Sequence, residues 1–252
     1  MNNFKYSGHL VEEELAIALN NKKVKDLSKN LKDMLRCLFG ALDYEEIVTC
    51  KLTDGSIKPD IIITYKKVNK GVSIKSGRAE IVHNEKIANF LNYLKEKGIS
   101  DKTLETIALF HFGDGTTDGN GDYRLPYDKV YQIYKERISE ANIELNKDID
   151  FVKEVVTRLV FKGANEDNIE ADAIYFGDQE EGVLATKRQI LKNLQRRPFD
   201  FYENLHIGPI LIRPDSRYVD KEIADKKKRL RIIAYWPHLQ SEIDFVSRRY
   251  DY

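Results

Sequence analysis

The spacing of apolar residues predicts that the chain begins with two helices and continues as strands. Apolar positions recur every three to four residues over 7–20 and again over 24–42, which is typical of helices packed on one face. The period then falls to two. The segments EEIVTCKL, IKPDIIITY and VSIKS are predicted strands, separated by turn signals at Asp54-Gly55 and Asn69-Lys70-Gly71. These segments predict a three-stranded meander after the two helices.

The rest of the chain continues this mixed pattern. A helix is predicted over 81–96, followed by the strand ETIALFHF. Beyond it we predict two helices, a strand, a short helix, two further strands and a last helix from about Gln240. The sequence thus predicts an α/β protein. Residues 1–145 form a core of helix, meander, helix and strand, and 146–252 form an appended α+β half, separate or packed as one domain with the core.

Composition narrows the class of protein. Hydrophobic residues make up 42% and charged residues 33%, which is ordinary for a globular domain. No apolar run approaches the length of a membrane span, and the N-terminus lacks the apolar segment of a signal peptide, so we expect a cytoplasmic protein. The net charge is zero, but from Thr186 onward Lys and Arg outnumber Asp and Glu. That basic third is compatible with DNA binding.

The residues that carry chemistry lie around the predicted hairpin. Asp60 follows Pro59 at the start of one strand, and Lys75 lies in the next strand, so the two side chains are expected to be neighbours. Hydrolysis of a phosphodiester needs carboxylates that hold Mg²⁺ and a group that orients the attacking water. Asp60 suits the first task and Lys75 the second.

The stretch KPDIIITYKKVNKGVSIKSG resembles the PD-(D/E)XK nuclease superfamily, which includes most type II restriction endonucleases. The order of the elements in the first half is also similar to the common core of that superfamily. The resemblance implies that Asp60 and an acid two residues before Lys75 bind the metal, while Lys75 assists the water. It also implies a restriction-endonuclease-like fold.

One position departs from that pattern, because Ser73 stands where the second acid is expected. Some restriction enzymes share this Ser-X-Lys form and take the missing carboxylate from a Glu on the following helix. The resemblance therefore implies that Glu85 replaces the acid, with Glu80 as the competing donor.

A further carboxylate is expected from the first helix. Glu14 lies between Leu10 and Ile17 on its apolar stripe, whereas Glu12 and Glu13 are predicted to point elsewhere; a helix-end Glu that reaches water is the alternative.

Four basic residues are candidate DNA contacts. Lys58 could neutralise a phosphate beside the metal, and Arg78 follows the catalytic strand in a Ser-Gly-Arg turn. Thr186 and Gln189 form a capping-box pattern, which would place Lys187 and Arg188 in the first turn of a helix. Cations are disfavoured there unless they meet an anion such as phosphate. Solvated surface positions are the simpler explanation for each of the four.

Together these patterns predict a Mg²⁺-dependent endonuclease. The resemblance implies double-stranded DNA as the substrate, 5′-phosphate products and a homodimer that reads a short palindrome, as in a type II restriction enzyme. A repair, recombination or junction-resolving nuclease of the same fold is the first alternative. A DNA-binding protein whose active site has decayed is the second, and Ser73 is the observation that favours it.

Overall fold

A computed structural model describes residues 8–54, 58–76, 80–164, 169–195, 204–215 and 230–249. The described helices are α1 (Gly8–Leu19), α2 (Lys29–Phe39), α3 (Ile87–Glu96), α4 (Asp101–Phe112), α5 (Tyr127–Asn146), α6 (Ile149–Val156), α7 (Lys187–Leu194) and α8 (Leu239–Arg249). The described strands are β1 (Lys22–Lys23), β2 (Ile47–Leu52), β3 (Ile61–Tyr65), β4 (Val68–Lys75), β5 (Ile81–Lys86), β6 (Ala173–Gly177), β7 (Gly182–Thr186), β8 (His206–Ile207), β9 (Ile210–Pro214) and β10 (Arg231–Tyr235). None of these helices has the length and hydrophobicity needed to cross a bilayer.

The chain folds as two compact units, each of which draws on both halves of the sequence. The first comprises Met1–Glu80, Thr157–Arg196 and His238–Tyr252, and the second comprises Ile81–Val156 and Arg197–Pro237. The sequence prediction placed a single boundary after residue 145. The interleaving arises because β4 pairs in parallel with β6, and a parallel pair requires a long crossover between its strands.

The first unit is built on a six-stranded sheet with the order β1-β2-β3-β4-β6-β7. Its pairs are antiparallel except for β4 with β6. The predicted meander is confirmed as β2, β3 and β4, and Ile61 lies opposite Val72 in the hairpin. Helices α1 and α2 pack against this sheet and form a hydrophobic core with it. The fully buried residues of this core include Leu15, Leu19, Leu35, Val48, Ile61, Ile63 and Val72.

The second unit contains an antiparallel sheet with the order β5-β10-β9-β8, together with α3, α4, α5 and α6. The strands predicted from GPILIRP and LRIIAYW are confirmed as β9 and β10. Large side chains of this unit are fully buried, among them Phe90, Phe110, Leu94 and Trp236.

The strand predicted for ETIALFHF is wrong, because these residues belong to helix α4. The Ser100 hydroxyl caps the helix by accepting from the backbone N–H of Thr103, and Gly113 ends it in a left-handed conformation. Almost the whole second half of α4 is buried. A helix that is buried on all sides has no polar stripe, so its apolar run cannot be told from a strand by period alone.

The helix predicted over 81–96 begins later than expected. Residues Ile81–Lys86 form β5, which pairs with β10, and α3 starts only at Ile87. Pairing with a strand nearly 150 residues away satisfies the backbone of this segment, and no local pattern reports such a partner. Glu85 therefore lies on a strand, opposite Ile232, rather than in the first turns of a helix.

The second predicted helix, 24–42, is also shorter in the structure. Val24–Asp26 form a 3₁₀ turn, and α2 begins after Ser28, whose side chain accepts from the backbone N–H of Leu31. This hydroxyl cap explains why the helix starts there, since it satisfies a backbone donor that has no partner within the helix.

Candidate active site

The candidate active site lies at the end of the β3–β4 hairpin. Asp60 immediately precedes β3, and its backbone N–H donates to the carbonyl of Val72 at 3.1 Å. The hairpin register continues through this bond, so Asp60 lies opposite Ser73. Lys75 ends β4 and shares a strand face with Ser73, since alternate residues of a strand point to the same side.

The carboxylate of Asp60 is held through one of its two oxygens. Oδ2 accepts from the backbone N–H of Ile74 at 2.6 Å and from the Ser73 hydroxyl at 3.1 Å. Oδ1 has no hydrogen bond with the described part of the chain. Asp60 is thus fixed in orientation while one oxygen stays available to a cation.

Pro59 is accommodated by a glycine on the neighbouring strand. A Cβ atom added at Gly71 would lie 2.6 Å from Pro59 Cγ, closer than real Cβ atoms approach a neighbour. Gly71 therefore lets the proline ring lie against β4. Asp60 follows this proline and lies beside Ser73 at the end of the β3–β4 hairpin.

Lys58 reaches into the protein rather than away from it. Its Nζ donates to Ser73 Oγ at 2.9 Å and to the carbonyl oxygen of Val160 at 3.0 Å. Val160 lies near the end of the π-helical segment Thr157–Lys162, where carbonyl groups lack later N–H partners within the helix. Burial lowers the pKa of Lys58 to about 7, with a further lowering by Lys75 and opposing effects of Asp60 and Glu12.

This lowered pKa predicts a pH-dependent stability. The pKa of about 7 in the folded protein is below the ordinary 10.5, so between these values the folded chain binds fewer protons than the unfolded chain. Stability then rises with pH across the window, and the cost of the buried charge is fully present only below pH 7. We expect Lys58→Met to gain more in unfolding midpoint over the wild type at pH 6 than at pH 9.5. If the midpoints of Lys58→Met and the wild type differed by the same amount at both pH values, the lowered pKa of Lys58 would be contradicted.

Helix α1 brings a carboxylate to this site, and the residue is Glu12. Burial and the negative charge of Asp60 raise the pKa of Glu12, whereas His9 and Lys75 oppose this rise. Its side chain is 20% exposed, against 43% for the adjacent Glu13. Glu12 therefore lies within electrostatic reach of both Asp60 and Lys75.

The inward face predicted for α1 is wrong. Leu10 and Ile17 are 46% and 73% exposed, and the buried side chains are Val11, Leu15, Ala16 and Leu19. Glu14 consequently lies outside the buried face, and it makes no hydrogen bond or ion pair with the described residues. The sequence did carry a signal for Glu12, because Leu15, Ala16 and Leu19 follow it at three, four and seven positions, the spacing of one helical face.

These groups suit a magnesium ion that retains water ligands. Among the described residues no three His, Cys, Asp or Glu side chains are close enough to hold a metal by themselves. Mg²⁺, however, is commonly held by one or two carboxylates together with waters and substrate phosphate. Asp60 and Glu12 supply two carboxylates. Burial first, and then the negative charge of Asp60, raises the pKa of Glu12, and a cation beside both carboxylates would offset the second effect.

The structure places the two other candidate acids in different surroundings. Glu85 belongs to the second unit, is 4% exposed, and its Oε1 lies 3.5 Å from His83 Nε2. Its metal role stays a prediction. Glu80 accepts from the backbone N–H of His238 at 2.8 Å, immediately before α8. This bond gives Glu80 a structural task at the start of that helix.

Of the other three predicted DNA contacts, Lys187 and Arg188 lie apart from this cluster and Arg78 lies outside the described residues. The predicted capping box is confirmed at the start of α7. Lys187 pairs with Glu170, and together with Arg188 it lines a cleft of about 670 Å³ that also contains Lys70. Lys70 and Lys75 are five residues apart on β4, which corresponds to about 17 Å along a strand. Arg78 lies outside the described residues, and DNA contact by Lys187 and Arg188 stays a prediction.

Comparison with known proteins supports the fold. No family model matches the sequence, and no curated protein matches it. Among solved structures, the restriction endonuclease MspI in complex with its cognate DNA is similar, with a TM-score of 0.52 and 13% sequence identity. The match covers 90% of this chain and 88% of that chain. The chain has a restriction-endonuclease-like α/β fold. This confirms the predicted fold class.

Proposed function

We propose that this protein is a Mg²⁺-dependent endonuclease that hydrolyses phosphodiester bonds of double-stranded DNA. The observation that carries the proposal is the cluster at the end of the β3–β4 hairpin. There the Ser73 hydroxyl donates a hydrogen bond to Asp60, and Lys75 lies on the same strand face as Ser73. The charges of Asp60 and Lys75 act on the pKa of Glu12.

Each of these residues has a task in such a reaction. Asp60, through its available Oδ1, and Glu12 would hold the metal, which supplies Lewis-acid stabilisation of the charge that develops on the phosphate. Lys75 would donate to the attacking water and orient it toward phosphorus. The fixed orientation of Asp60 serves the reaction because a group that is held in place loses little entropy when the substrate binds.

The substrate class rests on the similarity of fold. The similar solved structure is a restriction endonuclease bound to its cognate DNA, and the likeness extends over most of both chains. Because a fold alone does not fix a function, the local cluster of Asp60, Lys75 and Glu12 is the stronger support. It also weighs against a decayed site, since the acid that Ser73 lacks has a counterpart in Glu12.

Digestion of phage DNA in the presence of Mg²⁺, followed by sequencing of the ends, tests this function. We expect discrete fragments whose ends share one short sequence and carry 5′-phosphates, as a type II restriction enzyme produces. Random ends or a preference for branched DNA would instead indicate a repair or junction-resolving nuclease. Tight DNA binding without cleavage would contradict an endonuclease and indicate a DNA-binding protein.

A further inference from the structure

Lys58 does not have the surroundings of a surface DNA contact. Within the described part of the first unit, its amine donates to Ser73 Oγ at 2.9 Å and to the Val160 carbonyl at 3.0 Å. Ser73 itself is fully buried. A lysine that neutralised a DNA phosphate would instead present its ammonium group to solvent.

The hydrogen bond from Lys58 to Ser73 determines the direction of the hydrogen bond between Ser73 and Asp60. Lys58 Nζ is the donor in this bond, so Ser73 Oγ accepts from Lys58. The hydroxyl hydrogen of Ser73 is then directed to its other neighbour, Asp60 Oδ2, at 3.1 Å. With the Ile74 N–H at 2.6 Å, both bonds fall on Oδ2, so Oδ1 is the oxygen left for a cation.

This chain also gives a reason for the serine. A carboxylate at position 73 would accept from Lys58 but, being ionised, could not donate to Asp60. A hydroxyl accepts and donates at once, so it can transmit an orientation from one residue to the next. Ser73 is therefore suited to join Lys58 to Asp60, and an acid is not.

We propose that Lys58 is a positioning residue that acts through Ser73 to orient the Asp60 carboxylate. The proposal deepens the nuclease function above and rests on it. It replaces a DNA contact by Lys58 with an internal role. In this chain of hydrogen bonds from Lys58 through Ser73 to Asp60, Ser73 contributes to the site although it is not the acid that the family pattern has at this position.

A double-mutant cycle between Lys58→Met and Ser73→Ala tests this order. We expect each single variant to lower the single-turnover rate by about 10- to 100-fold, the usual cost of losing a group that orients a metal ligand. The double variant should lose no more than the worse single variant, because both changes break the same chain. Losses that multiply would overturn the proposal, since Lys58 would then act independently of Ser73.

DNA binding without cleavage separates the two roles of Lys58. With Ca²⁺ in place of Mg²⁺, Lys58→Met should leave the dissociation constant and its dependence on salt unchanged. Loss of a phosphate contact would weaken binding and reduce the salt slope by about one. That result would return Lys58 to the DNA interface and overturn the positioning role.

A spectroscopic measurement keeps the proposal testable if the wild type does not cut DNA. The carboxyl-carbon NMR signal of Asp60, assigned by its absence in Asp60→Asn, should shift in Lys58→Met. This shift should be largely lost when Ser73 is already alanine. An equal shift in both backgrounds would overturn the relay. If Lys58→Met does not fold, Lys58→Leu, which also lacks a donor, serves in the same scheme. An unchanged Asp60 signal in Ser73→Ala would likewise overturn the proposal.

Discussion

Replacing Lys75 with methionine is expected to lower the single-turnover rate of DNA cleavage by about 100- to 10,000-fold, the range for removal of a group that transfers or orients a proton. Methionine preserves the unbranched length of the side chain while it removes the amine that would orient the water. Because Lys75 ends β4 and is half-buried, the fold should tolerate the change. DNA affinity in Ca²⁺ should fall far less than the rate.

The matched control is Lys70→Met on the same strand. Lys70 lies at the other end of β4 and pairs with Asp172 at 2.7 Å, away from Asp60. It should cleave at the wild-type rate, measured on the same plasmid under the same single-turnover conditions. Equal losses in the two variants would show that cleavage depends on the charge of the strand in general and not on Lys75.

Glu12→Gln should lower the rate by at least about 100-fold, because it removes one of two carboxylates proposed to hold the metal. It should also weaken Mn²⁺ binding in calorimetry. The fold should not suffer, since the raised pKa of Glu12 shows that its ionised form is disfavoured where it lies. The amide should therefore match or exceed wild-type thermal stability at neutral pH.

Neighbouring acids on the same helix provide controls for this second prediction. Glu13→Gln and Glu14→Gln remove the same charge from α1 outside the buried face, and both should retain wild-type cleavage. A loss in Glu14→Gln with none in Glu12→Gln would restore the original sequence prediction and contradict the structural one. Glu85→Gln, measured in parallel, tests whether Glu85 has the metal role that the sequence predicted.

The hairpin was predictable because its information is local. Strand alternation on both sides of a short turn fixes the register, and that register alone places Asp60 opposite Ser73. The Ser-X-Lys spacing then puts Ser73 and Lys75 on one face. The Asp60, Ser73 and Lys75 part of the candidate site followed from these two facts.

The features that the sequence does not predict depend on contacts with distant residues. Choosing Glu12 over Glu14 requires the true buried face of α1, and Leu10 and Ile17 obscured it because they are apolar yet exposed. The inward course of Lys58 depends on the carbonyl of Val160, which lies about a hundred positions later. The β5 strand depends on β10 in the same way. Contacts at such separations leave no periodic trace in the local sequence.

The most direct test of the central claim is cleavage of supercoiled plasmid by the wild type and by Asp60→Asn, each with Mg²⁺ and with EDTA. We predict that only the wild type with Mg²⁺ produces linear DNA, while both proteins retain the same unfolding midpoint to within a few degrees. Cleavage that persists in Asp60→Asn, or in EDTA, would contradict a metal-dependent site built on Asp60.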